Sequence, residues 1–359
     1  MSPSGEAASD PIRVLLLGTG FAGLVLAPGF RRNQAYRLVG AASAHRESAE
    51  RLAAQFQIPY ATDDWKRALE EVEADLAVVA TPVDLHYPMA RAALERGLNV
   101  LCEKPFALNL AQARELASLA RSKGVVNVVN HEFRHYPARA AITRWIEEGR
   151  LGDVEHLVIR DLLPGWARNP ARRLTWLAEK QRGGGYLGAL GSHHVDQLLL
   201  WGGPITRVFC RLRMLAANAV DASPAHRAIT ADDCFTLVVE FQSGATGLVD
   251  LFSGARARRE VYEAYGSATA LAAIDNYRLG LLAEGGKVEE IPIPEDLRLT
   301  PTPEVPLLAP FGAKVEMIRA AIRERAVPSP DFAGAVEIQK VLDAARLSDQ
   351  SGAWVDVES

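Results

Sequence analysis

Cysteine is scarce in this 359-residue sequence: Cys102, Cys210 and Cys234 are the only three, and they are scattered. That is too few and too dispersed for a disulfide framework, and a reducing cytoplasm is the expected compartment. An excess of charge is also lacking, with 40 Lys and Arg against 44 Asp and Glu and a formal net charge of −4. Nucleic acid or an anionic membrane surface would call for a basic excess, so neither is an expected partner. No apolar run is long enough to span a bilayer. The opening MSPSGEAASD has no basic start and no apolar core, and reads as a disordered tail rather than a secretory signal. There is no internal repeat or low-complexity tract. Only eight histidines occur, and two of them are adjacent in GGGYLGALGSHHVD (183–196). The rest is ordinary globular composition, 48% hydrophobic and 23% charged, enough for two cored domains.

Over residues 11–130, apolar runs alternate with helical patterns. IRVLLLG (12–18), YRLVGAAS (36–43), ADLAVVAT (74–81), LNVLCE (98–103) and VVNVVN (125–130) are continuous apolar stretches, as expected of strands covered on both faces. Helical patterns fall at 21–33, 46–56, 64–71, 84–96 and 109–122. Pro28-Gly29 is predicted to kink or shorten the first. Such alternation implies a parallel sheet with helices on both faces, with ligands bound at the carboxyl ends of its strands.

GTGFAG (18–23) lies between the first strand and the first helix, the context that a dinucleotide fingerprint requires. Gly18 permits the tight turn, Gly20 lets backbone approach a pyrophosphate, and Gly23 lets helix and strand pack closely. Phe21 and Ala22 complete the loop, whose helix-start amides face the phosphates. The second strand ends without the acid that holds a ribose 2′-hydroxyl. Ser43 and Arg46 stand there instead, and their chemistry suits a 2′-phosphate, so NADP is preferred over NAD.

The third strand runs into ATPVDLH (80–86), where Thr81-Pro82 makes an extended turn. His86 either touches the cofactor or caps the next helix. The fourth strand runs into CEKPFAL (102–108), which sets Glu103 and Lys104 at the sheet's carboxyl edge and leaves Pro105 open to a cis bond. A lysine partly desolvated beside a cationic nicotinamide has its pKa lowered. Lys104 is then placed to exchange a proton with a substrate hydroxyl, with Glu103 holding it.

These motifs, together with ALERGLNVLCEKPFALN (93–109) and GGGYLGALGSHHVD, resemble the glucose–fructose oxidoreductase / inositol dehydrogenase / MocA (Gfo/Idh/MocA) family of NAD(P)-dependent oxidoreductases. The resemblance covers the first two hundred residues. It implies an α/β chain, with a Rossmann domain (11–130) followed by an α+β domain (131–359) that has a large, mostly antiparallel sheet. The open face of that sheet lies over the nicotinamide, and its outer face pairs subunits into a homodimer or homotetramer. It also implies that Lys104 is the main catalytic residue.

The second half reads as a helix at 131–149, a strand at 153–163 and a meander of antiparallel strands, with hairpin signals at Ser243-Gly244 and Gly266-Ser267. Residues 283–310 read as a loop or subunit-crossing arm, and helices near 311–325 and 332–349 close the chain. The long segment 164–182 has the character of a binding loop. Trp166, Trp176, Arg168, Arg172 and Arg173 in it either hold substrate or are core tryptophans and solvated arginines, and Arg134 is similarly open.

In the histidine helix, His193 shares a face with Tyr186, Ala189 and Asp196, while His194 turns away to pack. A metal site is not expected, because adjacent helical histidines diverge. The family's helix carries an aspartate four residues before the histidine, and here that place is Ala189. Either Lys104 and His193 suffice, or a carboxylate such as Asp196, Glu132 or Asp161 substitutes, or the chemistry differs. The expected function is hydride transfer between a nicotinamide and a sugar, cyclitol or related polyhydroxylated compound. Alternatives are a glycosidase that uses transient oxidation, and a non-catalytic dinucleotide or sugar sensor.

Overall fold

The computed structural model describes residues 10–165, 174–216 and 228–358. The first sheet has six parallel strands: β1 (Ile12–Leu17), β2 (Tyr36–Ala42), β3 (Tyr60–Thr62), β4 (Leu76–Val79), β5 (Asn99–Cys102) and β6 (Asn127–Val129). Their order is β3-β2-β1-β4-β5-β6. The direction of winding reverses between β1 and β4, which opens a crevice above their carboxyl ends. Helices α1 (Ala27–Arg31), α2 (Arg46–Phe56), α3 (Trp65–Glu71), α4 (His86–Glu95) and α5 (Leu110–Lys123) connect the strands. Side chains cap several of them: Asp64 accepts from the Lys66 and Arg67 amides at α3, and Asn109 from the Gln112 amide at α5.

Pro28 shortens its helix but does not kink it away. The chain enters through a π turn (Ala22–Leu26), in which the Ala27 N–H donates to Ala22 O. Pro28 therefore sits at the start of α1, where its missing N–H costs little. β3 is an addition to the five runs read from the sequence. It is only three residues long and half-buried, so it carries little apolar signal.

The second unit starts with α6 (Pro137–Glu147) and β7 (Val154–Pro164) and continues through α7 (Ser192–Gly202), β8 (Ile205–Arg213), β9 (Cys234–Phe241), β10 (Thr246–Phe252), β11 (Gly254–Gly266), β12 (Ala270–Asp275), β13 (Arg278–Leu282) and β14 (Val288–Ile291). After α8 (Leu308–Glu324) and α9 (Phe332–Ser351), β15 (Val355–Asp356) closes a nine-stranded sheet ordered β14-β13-β12-β11-β7-β10-β9-β8-β15. Only β7 and β10 pair in parallel; the other neighbours are antiparallel. Residues 283–310, expected as a loop or arm, instead contain β14, which pairs with β13 and extends the sheet.

The last two helices return to the first sheet. Phe311, Val315 and Ile318 of α8 enter the core on one of its faces, and Phe332, Ala335 and Val336 of α9 enter the core on the other. Phe311 meets Phe30 edge-on at 5.5 Å, and Phe332 tilts on Phe106 at 4.4 Å.

Candidate active site

A cleft of about 770 Å³ runs along the carboxyl edge of the first sheet. The loop after β1 supplies Gly18, Thr19, Gly20 and Phe21 at one end. Gly18 has φ +110, and a Cβ there would stand 2.2 Å from the Ala80 carbonyl oxygen, so only glycine fits. A Cβ on Gly20 would meet nothing within 4 Å, which leaves its backbone open to the cleft. These two positions suit the pyrophosphate of a dinucleotide. Ala22 is fully buried, and Gly23 faces Leu52 of α2. Both therefore serve packing and do not line the cleft.

Ser43 and Ala44, after β2, form the next wall, and the Thr19 hydroxyl donates to Ser43 Oγ at 3.1 Å. Arg46 does not join them. It is exposed on the first turn of α2, and its Nε donates to Glu50 Oε1 at 2.9 Å, one helical turn away. The expected arginine for a 2′-phosphate is thus held on its own helix. A carboxylate, Asp63, lines this end instead, together with Trp65, both delivered by the unanticipated β3. No apolar run marks Asp63 in the sequence, because the strand before it has only three residues.

At the far end stand Thr81 and Pro82 after β4, and Glu103 and Lys104 after β5. His86 is not a cofactor contact. It is fully buried, with Nδ1 3.0 Å from Pro105 O and Nε2 2.9 Å from Thr81 O, so it ties the two strand exits together. The Lys104–Pro105 bond is cis. Lys104 Nζ donates to the backbone oxygen of Ala189 at 3.1 Å. Glu103 is buried, and its Oε1 accepts from Asn130 Nδ2 at 2.6 Å. Burial pushes the Glu103 carboxyl up, against the lowering effects of Lys104 and Asn130.

His193 is 1% exposed, stacked on Phe133 at 3.8 Å and edge-on to His131 at 5.1 Å. Burial pushes its pKa well below the usual histidine value, so the ring is neutral. Neither ring nitrogen has a hydrogen-bond partner among the described residues. His194 packs beneath it, with Nδ1 3.3 Å from Tyr262 Oη and Nε2 3.6 Å from Asp161.

Three expected substrate contacts are structural. Tyr186 is a buried core residue. Asp196 takes a fork from Arg134, at 2.5 Å from Nε and 2.6 Å from the terminal nitrogen. That fork consumes both residues. Trp166, Arg168, Arg172 and Arg173 lie outside the described residues. Trp176, with Leu177 and Arg182, does line the cleft, and Arg182 Nε donates to Asp84 at 3.1 Å across it.

The three glycines ahead of α7 serve protein packing, not ligand approach. A Cβ at Gly183 (φ +78) would stand 2.7 Å from Val83, and one at Gly185 (φ +111) would stand 2.2 Å from Asp232. No group of three metal-ligating side chains occurs among the described residues. No helix there is long and apolar enough to cross a membrane.

Comparison with known proteins agrees with this geometry. A family model described as an oxidoreductase family with an NAD-binding Rossmann fold matches residues 12–131, and the GFO/IDH/MocA C-terminal domain matches 140–272. Levoglucosan dehydrogenase from Pseudarthrobacter phenanthrenivorans is 26% identical over 348 residues, covering 88% of each chain. An oxidoreductase domain protein from Kribbella flavida superposes with TM-score 0.86 at 26% identity, over 98% of this chain and 100% of that one. A levoglucosan dehydrogenase in complex with NADH and levoglucosan superposes with TM-score 0.84 at 24% identity, over 98% and 100%.

Proposed function

The chain belongs to the Gfo/Idh/MocA oxidoreductases, and from that premise we propose that it is a dehydrogenase interconverting a hydroxyl and a carbonyl on a sugar, cyclitol or related polyol. The observation that carries this reading is the position of Lys104. Its Nζ stands in the cleft that the glycine loop opens, held by a neutral carbonyl and not by a carboxylate. An amine so placed can take a hydroxyl proton without first breaking an ion pair. When bound, the dinucleotide supplies the hydride acceptor. His193 is assigned the second contact to the reacting hydroxyl, since its ring is neutral and its nitrogens have no hydrogen-bond partner among the described residues. Trp176, at the same rim, offers an apolar face to a sugar ring.

For the cofactor, the reading shifts from NADP to NAD. Asp63 at the Ser43 end of the cleft would repel a 2′-phosphate and can accept from ribose hydroxyls, while Arg46 is paired elsewhere. The outer face of the nine-stranded sheet supports self-association. Val158, Leu162, Leu248, Phe252 and Val238 are half-buried there and alternate with charged residues, among them the Arg160–Asp250 pair. Three unpaired, buried cysteines are compatible with a cytoplasmic protein.

The test is reduction of NAD and NADP, followed by absorbance, with a panel of aldoses, anhydrosugars and inositols. Oxidation of at least one polyol with NAD is expected. Tight dinucleotide binding without turnover of any panel member in either direction would overturn the reading.

A further inference from the structure

Behind Lys104, three elements bring buried ionisable groups together: Glu103 at the end of β5, Glu132 just after β6, and Lys314 on α8, which packs on the Glu132–His135 turn. Glu103 is satisfied by Asn130. Lys314 is fully buried, and its Nζ donates to Ser329 O at 3.1 Å. Glu132 is different. It is fully buried, and neither carboxylate oxygen has a hydrogen-bond partner among the described residues. A buried carboxyl without donors is unfavourable when ionised, so it keeps its proton to a higher pH than a solvated carboxyl does.

Of the other two carboxylates near α7, Asp196 is hydrogen-bonded through both oxygens to the Arg134 fork. Asp161, on β7 facing His194, makes no hydrogen bond among the described residues but stands within ion-pair distance of Arg258.

We propose that Glu132 is the positioning carboxylate behind Lys104, accepting the proton that Lys104 removes from the substrate, and that Lys314 passes it on toward the exposed Ser329. This rests on the dehydrogenase reading above. In the oxidation direction the substrate O–H bond breaks and its proton joins the Lys104 amine. Neither lysine stands within hydrogen-bond distance of Glu132, so the resulting ammonium passes a proton to the Glu132 carboxylate through a bridging water, while hydride and its electron pair leave with the dinucleotide. Lys314 then takes the proton as an amine and releases it to solvent at Ser329, which Arg134 also contacts.

The charge balance of the cluster supports the exchange. Burial, then the neighbouring Glu103, push Glu132 up to about 8, against lowering by Lys104 and Lys314. Burial, then Arg134, push Lys314 down to about 7, against Asp196, Glu132 and Glu103. The adjacent His131 is held neutral by burial, at about 3, and does not compete for the proton.

The test uses calorimetric titration of the full chain with NAD in two buffers of different ionisation enthalpy, together with the pH profile of kcat. The wild type is expected to exchange a fraction of a proton on binding NAD at pH 7.5 and to show a kcat limb near pH 8. Glu132→Gln should bind NAD with unchanged affinity, lose the proton exchange and the limb, and turn over about 10²-fold more slowly. Lys314→Met, which leaves Glu132 in place, should move the limb to higher pH because a neighbouring cation is gone. Should Glu132→Gln fail to fold, the Lys314→Met shift decides. Proton exchange and limb unaltered in Glu132→Gln, or no shift in Lys314→Met, would overturn the relay. If the wild type oxidises no polyol, the dehydrogenase reading fails by itself, while the proton-exchange measurement still judges Glu132.

Discussion

Ala189 is where the sequence departs from its family, and the structure shows what stands there. Lys104 still reaches position 189, but it meets the backbone oxygen and no side chain. Among the described residues the amine is therefore held without an ion pair. At the other end of the cleft, the proposed preference for NAD rests on Asp63. Asp63→Asn is expected to raise NADP affinity relative to NAD, and Arg46→Ala to leave the ratio unchanged. Fluorescence titration of both variants with both dinucleotides checks this. Gly18, Gly20, Ser43, Thr81 and Lys104 were legible because each sits where an apolar run ends, and the carboxyl-edge rule converts that into a place in the cleft. Asp63 was not, because its strand has three residues and no apolar signature. The burial of Tyr186 and the commitment of Asp196 to Arg134 were hidden for another reason. The Arg134–Asp196 contact joins residues 62 apart in sequence, and helical spacing gives a face but not what packs against it.

Among the elements, the segment carrying Trp176 and Arg182 matters most for function, because it crosses from the second unit to the β4 exit. Its latch is the Arg182–Asp84 pair, with side chains 34% and 30% exposed. Pairs of that kind contribute about 0.2–1 kcal/mol. Arg182→Ala is accordingly expected to speed NAD dissociation by up to about 5-fold, measured by rapid-mixing displacement, with thermal stability nearly unchanged. A larger loss of stability would mean that the pair is structural. The same segment carries the three glycines at 183–185. Tight glycines beside a site suggest ligand approach, yet Gly183 and Gly185 are hemmed in by Val83 and Asp232. The strand β14 was read as loop because VEEI is exposed and charged. Edge strands need only one pairing neighbour and carry no buried pattern.

For the whole molecule, the buried ionisable groups set the pH response. His86, His131, His135 and His193 all have pKa values depressed by burial. The unfolded chain binds protons on them below about 6.5 while the folded chain does not. Stability from these four is complete above that pH and is lost as pH falls toward about 3 for His131. Glu103 and Glu132 act oppositely, since their raised values favour the folded state at low pH and lose that contribution as pH rises from about 4.5, through about 8 for Glu132. Two carboxyls offset only part of four histidines. Denaturant midpoints should therefore fall between pH 6.5 and 4.5, and fall more steeply below 4.5, where the carboxyls no longer compensate. A flat profile across this range would contradict neutral burial of the histidines. The return of α8 and α9 to the first sheet adds to this scale, because Lys314 reaches the Lys104 cluster only through that return.

The central claim is that Lys104 takes the proton during hydride transfer, and the most direct measurement is a single-turnover, rapid-mixing comparison of wild type and Lys104→Met with saturating NAD and a polyol that the wild type oxidises. Unchanged NAD affinity and a rate of NADH formation lower by at least about 10²-fold are expected. Equal rates in the two proteins would contradict it.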